Sequence, residues 1–469
     1  MGQCSRDGGW RQVEFLRGQF AQRDGLPFEQ VLSRERIEAI WKTEGCSFRE
    51  RIFTPWVTLW LFLSQVLSAD GSCRQAVAWL LSWRLARGES PCSADTNSYC
   101  EARARLPEPC LRRLLRETGA ELDRQAPPEW KWHGRSVKVI DGSTVTLPDT
   151  PANQQAYPQH PRQKPGVGFP LARIAVVFSL AVGTVLDAAW CRFAGKGQSE
   201  LGMLRLLRAV FLPGDVMLAD RYLCSWFELA LLHEQGVDAV CRLHHGRRAD
   251  FRRGRRLSQH DHLVEWPKPI RCPEWMDGVT YARLPDVLVI REVRLVGTRP
   301  GFRTQHLVIA TTLADAQQFT AHELVELFRA RWHAELDLRS LKQSMHLDDL
   351  RCQTPAMVHR EMWVHLLAYN LIRTVMAQAA IEHAVLPRTL SFKATVQILL
   401  AFQPYLAMCP ADQWPQLQQS LLHAIATHTV GDRPDRIEPR ARKRRPKHYP
   451  LLHVPRHTAR KRLLRGLND

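Results

Sequence analysis

No two of the twelve cysteines in this 469-residue chain form a CxxC pair, which excludes a zinc ribbon and a dithiol redox motif. Their scatter fits a reduced, cytoplasmic interior. Cys241, His244, His245, His260, His262 and Cys272 crowd one segment, but their spacing matches no zinc-finger pattern, so the segment reads as a polar loop. Long apolar runs are also missing. The longest, PWVTLWLFLSQVL and IAVVFSLAVGTVL, fall short of the ~20 residues a membrane helix needs and read as core segments. The opening MGQCSRDGGWRQ has no apolar signal core, and Arg6 stands where a myristoylation motif wants Ser or Thr. No internal repeat is evident.

Basic charge is abundant. Lys and Arg number 65 against 47 Asp and Glu, a formal +18, and residues 433–465 alone hold 13 Lys/Arg against 2 Asp/Glu. Such an excess favours a polyanionic partner, because cationic side chains that neutralise phosphates release condensed counterions. A tail that only aids solubility is the alternative for 433–465. At ~150 residues per domain the length allows about three domains.

From about Phe28 to Arg124 the spacing predicts helices, with Trp56, Leu59, Trp60, Leu63 and Leu67 on one face. Pro107 and Pro109 split SADTNSYCEARARLPEPCLRRLLRE into two short helices carrying Arg103, Arg105, Arg112, Arg113 and Arg116. A DNA-binding helix-turn-helix and an ordinary solvated face both fit that cluster.

Between Trp130 and Leu243 the periodicity changes. SVKVID and GDVMLAD read as strands ending in Asp141 and Asp220, LARIAVVFSLAVGTVLDAAW as a hairpin turning at Ala181 to Gly183, and VDAVCRL as a further strand, with helices ELGMLRLLRAVF and CSWFELALLHEQG between. This alternation predicts a mixed α/β sheet with functional side chains just beyond strand ends. Residues 244–316 read as a β-rich insertion containing Trp266 and Trp275. Thr320 and Glu323 form a capping-box pattern opening a helix that runs to about Met345, and Thr354 and Pro355 open the next, with helical patterning to about Thr427.

Within the first of these helices lies FRARWHAELDLRSLK. A straight helix would bring Phe328, Arg331, Glu335 and Lys342 within about 60° of one another around the axis. A solvated helix with four-residue charge pairs accounts for this equally simply. Taken singly, Asp141 and Asp220 also read as turn or cap residues. Together with Glu335 they form a trio of hard oxygen donors, the kind that holds Mg²⁺ against a phosphodiester.

DGSTVTLPDTPANQQAYPQ, QKPGVGFPLARIAVVFSLAVGTVL, LADRYLCSWFEL and the charged helix resemble the bacterial insertion-sequence DDE transposases. Their hallmark is a signature Y-x2-R-x3-E-x6-K; Arg331, Glu335 and Lys342 match it in register, and Phe328 replaces the Tyr. The resemblance covers roughly Val137 to Leu371. It implies a ribonuclease-H-like mixed sheet with a β-rich insertion about 244–316, flanked by helical regions: an N-terminal DNA-binding part over 1–128, a catalytic part over 129–355, a helical part over 356–432 and a basic tail over 433–469. It further implies catalytic and metal-binding roles for Asp141, Asp220 and Glu335 with two Mg²⁺ or Mn²⁺ ions. DNA contacts would fall to Phe328, Arg331, Lys342 and Trp266, the last as acceptor of a flipped base, with Trp275 second. The implied activity is cleavage at terminal inverted repeats and strand transfer through a hairpin, by a homodimer on double-stranded DNA in the bacterial cytoplasm. A catalytically silent end-binding protein and a structure-selective nuclease of the same fold are the alternatives.

Overall fold

The computed structural model describes residues 34–45, 51–68, 70–86, 88–296, 306–410, 412–430 and 451–465. The polar N-terminal segment and residues 433–450 of the basic tail lie outside them. Five described helices precede the first strand: α1 (Arg34–Thr43), α2 (Pro55–Leu67), α3 (Cys73–Ala86), α4 (Asn97–Arg105) and α5 (Glu108–Gln125). Thr54 caps α2 by accepting from the Val57 amide, and Pro55 occupies the first turn, where no amide donor is needed. Every residue from Trp56 to Leu67 is buried, so the apolar run is a core helix. Among the described residues no helix is long and apolar enough to cross a membrane.

Next come β1 (Val137–Thr146), α6 (Pro151–Ala156), β2 (Leu171–Ser179), β3 (Val185–Arg192), α7 (Glu200–Leu207), β4 (Val216–Ala219), α8 (Trp226–Glu234) and β5 (Asp238–Arg242). β6 (Arg255–Ser258), β7 (Asp261–Pro267), α9 (Gly278–Arg283), β8 (Val287–Val296) and β9 (His306–Thr311) follow. All nine strands share one sheet in the order β3-β2-β1-β4-β5-β9-β8-β7-β6. The antiparallel meander β1-β2-β3 followed by parallel β4 and β5 is the expected ribonuclease-H-like arrangement. The β-rich insertion continues the same sheet, because β9 pairs antiparallel with both β5 and β8. A buried Arg291–Asp261 pair, with Arg291 also donating to the Phe319 carbonyl (2.6 Å), ties these added strands to the chain that follows.

Of the arginines of α4 and α5, Arg103 is buried, and the other four are partly or fully exposed and paired with acids. Arg103 is buried over Phe62 and Tyr99, Arg112 and Arg116 pair with Asp187 of β3 (2.9 and 3.6 Å), Arg113 pairs with Glu117 and Glu44, and Arg105 with Glu101. Arg112 and Arg116 thus form a joint between α5 and the sheet. Gly119 permits that contact, because a Cβ there would lie 2.1 Å from the Val185 carbonyl oxygen.

The helix expected from Thr320 to Met345 is interrupted. Thr320 and Glu323 do form the capping box of α10 (Ala321–Ala330), but the chain breaks at Arg331 before α11 (Trp332–Arg339) and then widens into a π turn over Ser340–Ser344. Amides three residues on bond back at the break (Ala334 to Arg331, 3.0 Å), whereas the Met345 amide reaches back five residues to Ser340 (3.0 Å). The helix is therefore tight at Arg331 and loose around Lys342. α12 (Pro355–Glu382) runs through the core, where Asn370 exchanges two hydrogen bonds with the Val185 backbone (2.7 and 2.8 Å). α13 (Phe392–Met408), α14 (Trp414–Ala426) and α15 (Arg456–Leu464) complete the chain.

Candidate active site

Parallel pairing brings the two aspartates together. The last paired residues of β1 and β4 are Ile140 and Ala219, so Asp141 and Asp220 follow at neighbouring positions. α11 packs on β1 and adds Glu335 from above. Asp141, Asp220 and Glu335 line one cavity of about 470 Å³ with Gly142, Ser143, Arg331, Leu338, Arg339, Lys342, Gln343 and Asp348.

Arg331 stands between the acids. Its guanidinium is 2.7 Å from Glu335 Oε1 and 3.5 Å from Asp141 Oδ2. With that cation in place, no three His, Cys, Asp or Glu side chains among the described residues form a ready-made metal-binding group. Lys342 donates to Ser143 Oγ (3.3 Å) and the Thr144 carbonyl (3.0 Å) and pairs with Asp348 (3.3 Å), so the π turn ties back to β1.

Burial, opposed by the Gly142 amide and Arg331 and reinforced by Glu335 and Asp220, pushes the Asp141 carboxyl up from 3.8 to about 6. A carboxyl with a raised pKa contributes stability that is complete below its unfolded pKa and lost as pH rises through the folded value. Asp141→Asn should therefore stabilise the metal-free protein at pH 8 by about 1–3 kcal/mol. That gain should vanish below about pH 4, where the parent carboxyl is protonated in both states. Urea unfolding in a chelator at both pH values measures it, and an equal effect at the two would sink the argument.

Other expected residues lie elsewhere. Phe328 rests half-buried against the main core. Trp266 is 4 % exposed, donates to Glu292 Oε1 (3.2 Å) and carries the Arg247 guanidinium 3.8 Å over its ring, so a base would reach it only after that arginine leaves. Trp275 is 40 % exposed but bears Arg205 at 3.6 Å. The crowded Cys and His residues form no metal-holding group among the described residues: the His244 and His245 rings lie together (4.1 Å between centres), whereas His262 bonds Glu292 Oε2 (3.0 Å) and the Arg253 carbonyl (2.8 Å).

Two cations escaped the sequence reading. Arg339 lies on the cavity wall. Arg242 ends β5, where the Ala219–Cys241 register sets it beside Asp220, and burial together with Arg221 and Arg331 holds its pKa below the usual arginine range. The sign was available in the sequence: a third parallel strand would end level with the first two.

Residues 132–371 match the family model of the transposase DDE domain. The chain belongs to this family. The transposase is 29% identical over 366 residues to transposase InsG of insertion sequence element IS4 from Escherichia coli K12, covering 76% of this chain and 78% of that one. It is 31% identical over 82 residues to putative transposase InsL of IS186A from the same organism, 18% of this chain and 22% of the relative. Among solved structures it resembles a piggyBac transposase synaptic complex with hairpin DNA, at a TM-score of 0.41 and 11% identity, over 87% of this chain and 86% of that one.

Proposed function

We propose that this DDE transposase cuts and joins element ends with Asp141, Asp220 and Glu335 as its catalytic, metal-holding carboxylates. The observation that carries the reading is the side-by-side placement of Asp141 and Asp220 where the parallel β1–β4 pairing ends, with Glu335 facing them across Arg331.

The family is generally dependent on divalent metal, and the donor set fits: the acids are hard oxygen ligands, and an internal guanidinium already stands where opposite charge is required. When bound, two Mg²⁺ or Mn²⁺ ions would supply Lewis-acid stabilisation of the attacking and leaving oxygens. Arg331 must yield for all three carboxylates to converge, which frees its fork to hold a DNA phosphate. Lys342, anchored on β1, presents a second cation to the same backbone, Arg339 extends the positive wall, and Arg242 adds charge beside Asp220. Phe328 keeps the ring of the family's Tyr from within the core and supplies no hydroxyl to the substrate. The helical region before β1 is read as the end-binding part, the sheet with its insertion as the catalytic part, and a homodimer as the form that engages two ends. Water would hydrolyse the phosphodiester at the element end and release its 3′-hydroxyl, which would attack the phosphodiester of the opposite strand and displace the flanking strand's 3′-oxygen as a hydroxyl to give a hairpin, with Trp266 as base acceptor once Arg247 has moved off its ring.

The test uses purified protein, Mg²⁺ and duplexes of the DNA flanking the reading frame. A 3′-hydroxyl nick, a hairpin and joined product should appear in that order. Nicking without joining would assign a nuclease instead, and binding without nicking a silent end-binding protein.

A further inference from the structure

Glu335 and Asp337 are about 200° apart around α11 and so face opposite sides of it. Glu335 looks into the cavity, whereas Asp337 is 1 % exposed. The Asp337 carboxylate is gripped by two arginines from other elements. Arg388 bonds Oδ1 (3.1 Å) and Oδ2 (2.8 Å) as a fork, and Arg373 of α12 bonds Oδ1. Arg373 is itself fixed, donating to the Tyr369 hydroxyl (2.9 Å) and lying 5.2 Å from the ring centres of Tyr369 and Phe392. The β2–β3 turn closes over the group at Gly183 (φ 79°), where a Cβ would sit 1.8 Å from Arg388 Nη1.

Apart from its contact with β1 and the Arg331 bonds to Asp141 and Glu335, α11 has a small apolar hold. It has eight residues, and only Ala334, Asp337 and Leu338 are buried. Its N-terminal end is tightened at Arg331, whereas at its C-terminal end the Ser340 amide still bonds back to Leu336 and Asp337 before the chain widens into the π turn. With so small an apolar face, rotation about the helix axis is resisted mainly by the forked, directional bonds to Asp337. A rotation of about 20° would swing a side-chain tip by roughly 2 Å, and displacements of that size at a reacting centre lower rates by about 10²-fold.

We propose that Asp337, Arg373 and Arg388 form a positioning clamp that fixes the rotation of α11 and thereby aims Glu335. The inference rests on the reading of Glu335 as a metal-holding carboxylate. The three clamp residues touch neither substrate nor metal.

Arg388→Gln in the full chain tests it, because Asp337 keeps Arg373 as its partner. Amide hydrogen exchange across 332–339 should quicken about tenfold or more with the melting temperature nearly unchanged, reporting the loosened helix without any metal or DNA. End binding should match the parent. The Mg²⁺ concentration for half-maximal cleavage should rise about tenfold, with the rate at saturating Mg²⁺ returning close to parental. Arg388→Lys, which keeps the charge and loses the fork, should fall between and replaces Arg388→Gln if that variant does not fold. Unchanged exchange in 332–339 would overturn the clamp. Faster exchange with parental Mg²⁺ response would overturn its link to Glu335, and equal loss of cleavage at every Mg²⁺ concentration would make the cluster a general scaffold. A Glu335→Ala variant with parental Mg²⁺ response would instead refute the reading of Glu335, while the exchange result would still report on the clamp.

Discussion

Glu335→Ala should cleave element ends at least about 10³-fold more slowly than the parent while binding them with little change, and Asp141→Ala and Asp220→Ala should do the same. The expectation follows from position. Asp141, within β1, and Asp220, just after β4, sit one residue beyond the last β1–β4 pair, and Glu335 descends on them from a helix packed on β1. Asp141 joins the sheet through its backbone, which a side-chain substitution leaves in place, and Asp220 and Glu335 lie outside the strands. Substitution should leave the fold and the cationic wall in place and remove the oxygens that the chemistry requires. Single-turnover cleavage and gel-shift binding on the same duplexes separate the two quantities. Retained cleavage in any one variant would remove that residue from the site, and lost binding with retained cleavage would reverse its role.

Arg331→Ala should have the second largest effect, and of a different kind. This guanidinium neutralises Asp141 and Glu335 at once, and its charge is one of the influences that keep the Asp141 carboxyl from rising further. Without it the metal-free protein should melt roughly 2–4 °C lower, and saturating Mg²⁺ should recover most of that loss by binding only the folded state. Affinity for element ends should fall about tenfold, with the slope of log affinity against log salt shallower by about one. Lys342→Ala should be milder on stability, since its bonds to Ser143, Thr144 and Asp348 are local. Melting curves with and without Mg²⁺, and end binding across a salt series, decide the matter. A parental salt slope would make Arg331 a surface-type pair with no phosphate to hold.

Much of this site is legible in residue order. Short β-branched runs leading into Asp141 and Asp220 locate two strands, although β1 runs on to Thr146 instead of ending at Asp141, and local periodicity suffices because each strand's character is written in its own few residues. The capping box at Thr320 and the proline after Thr354 fix helix starts for the same reason. What periodicity missed is set by partners distant in sequence. The break at Arg331 and the π turn at Lys342 answer to β1, which Lys342 must reach through Ser143 and Thr144. The arginines of α4 and α5 have the composition of a DNA-reading face, yet Asp187 of a strand some 70 residues on claims Arg112 and Arg116. Trp266 reads as an available ring because no local rule reveals that Arg247 and Glu292 enclose it.

The placement of β9 bears on how the molecule handles its substrate. Because one strand is laced on both edges, to β5 and to β8, the accessory hairpins have no swivel of their own relative to the floor of the cavity. Reshaping between successive reaction steps therefore falls on the nucleic acid, on side chains such as Arg331 and Arg247, or on connecting loops. Transplanting only residues 255–296 from a relative would cut across a continuous ladder, so an exchange that keeps the architecture must carry β9 along with them.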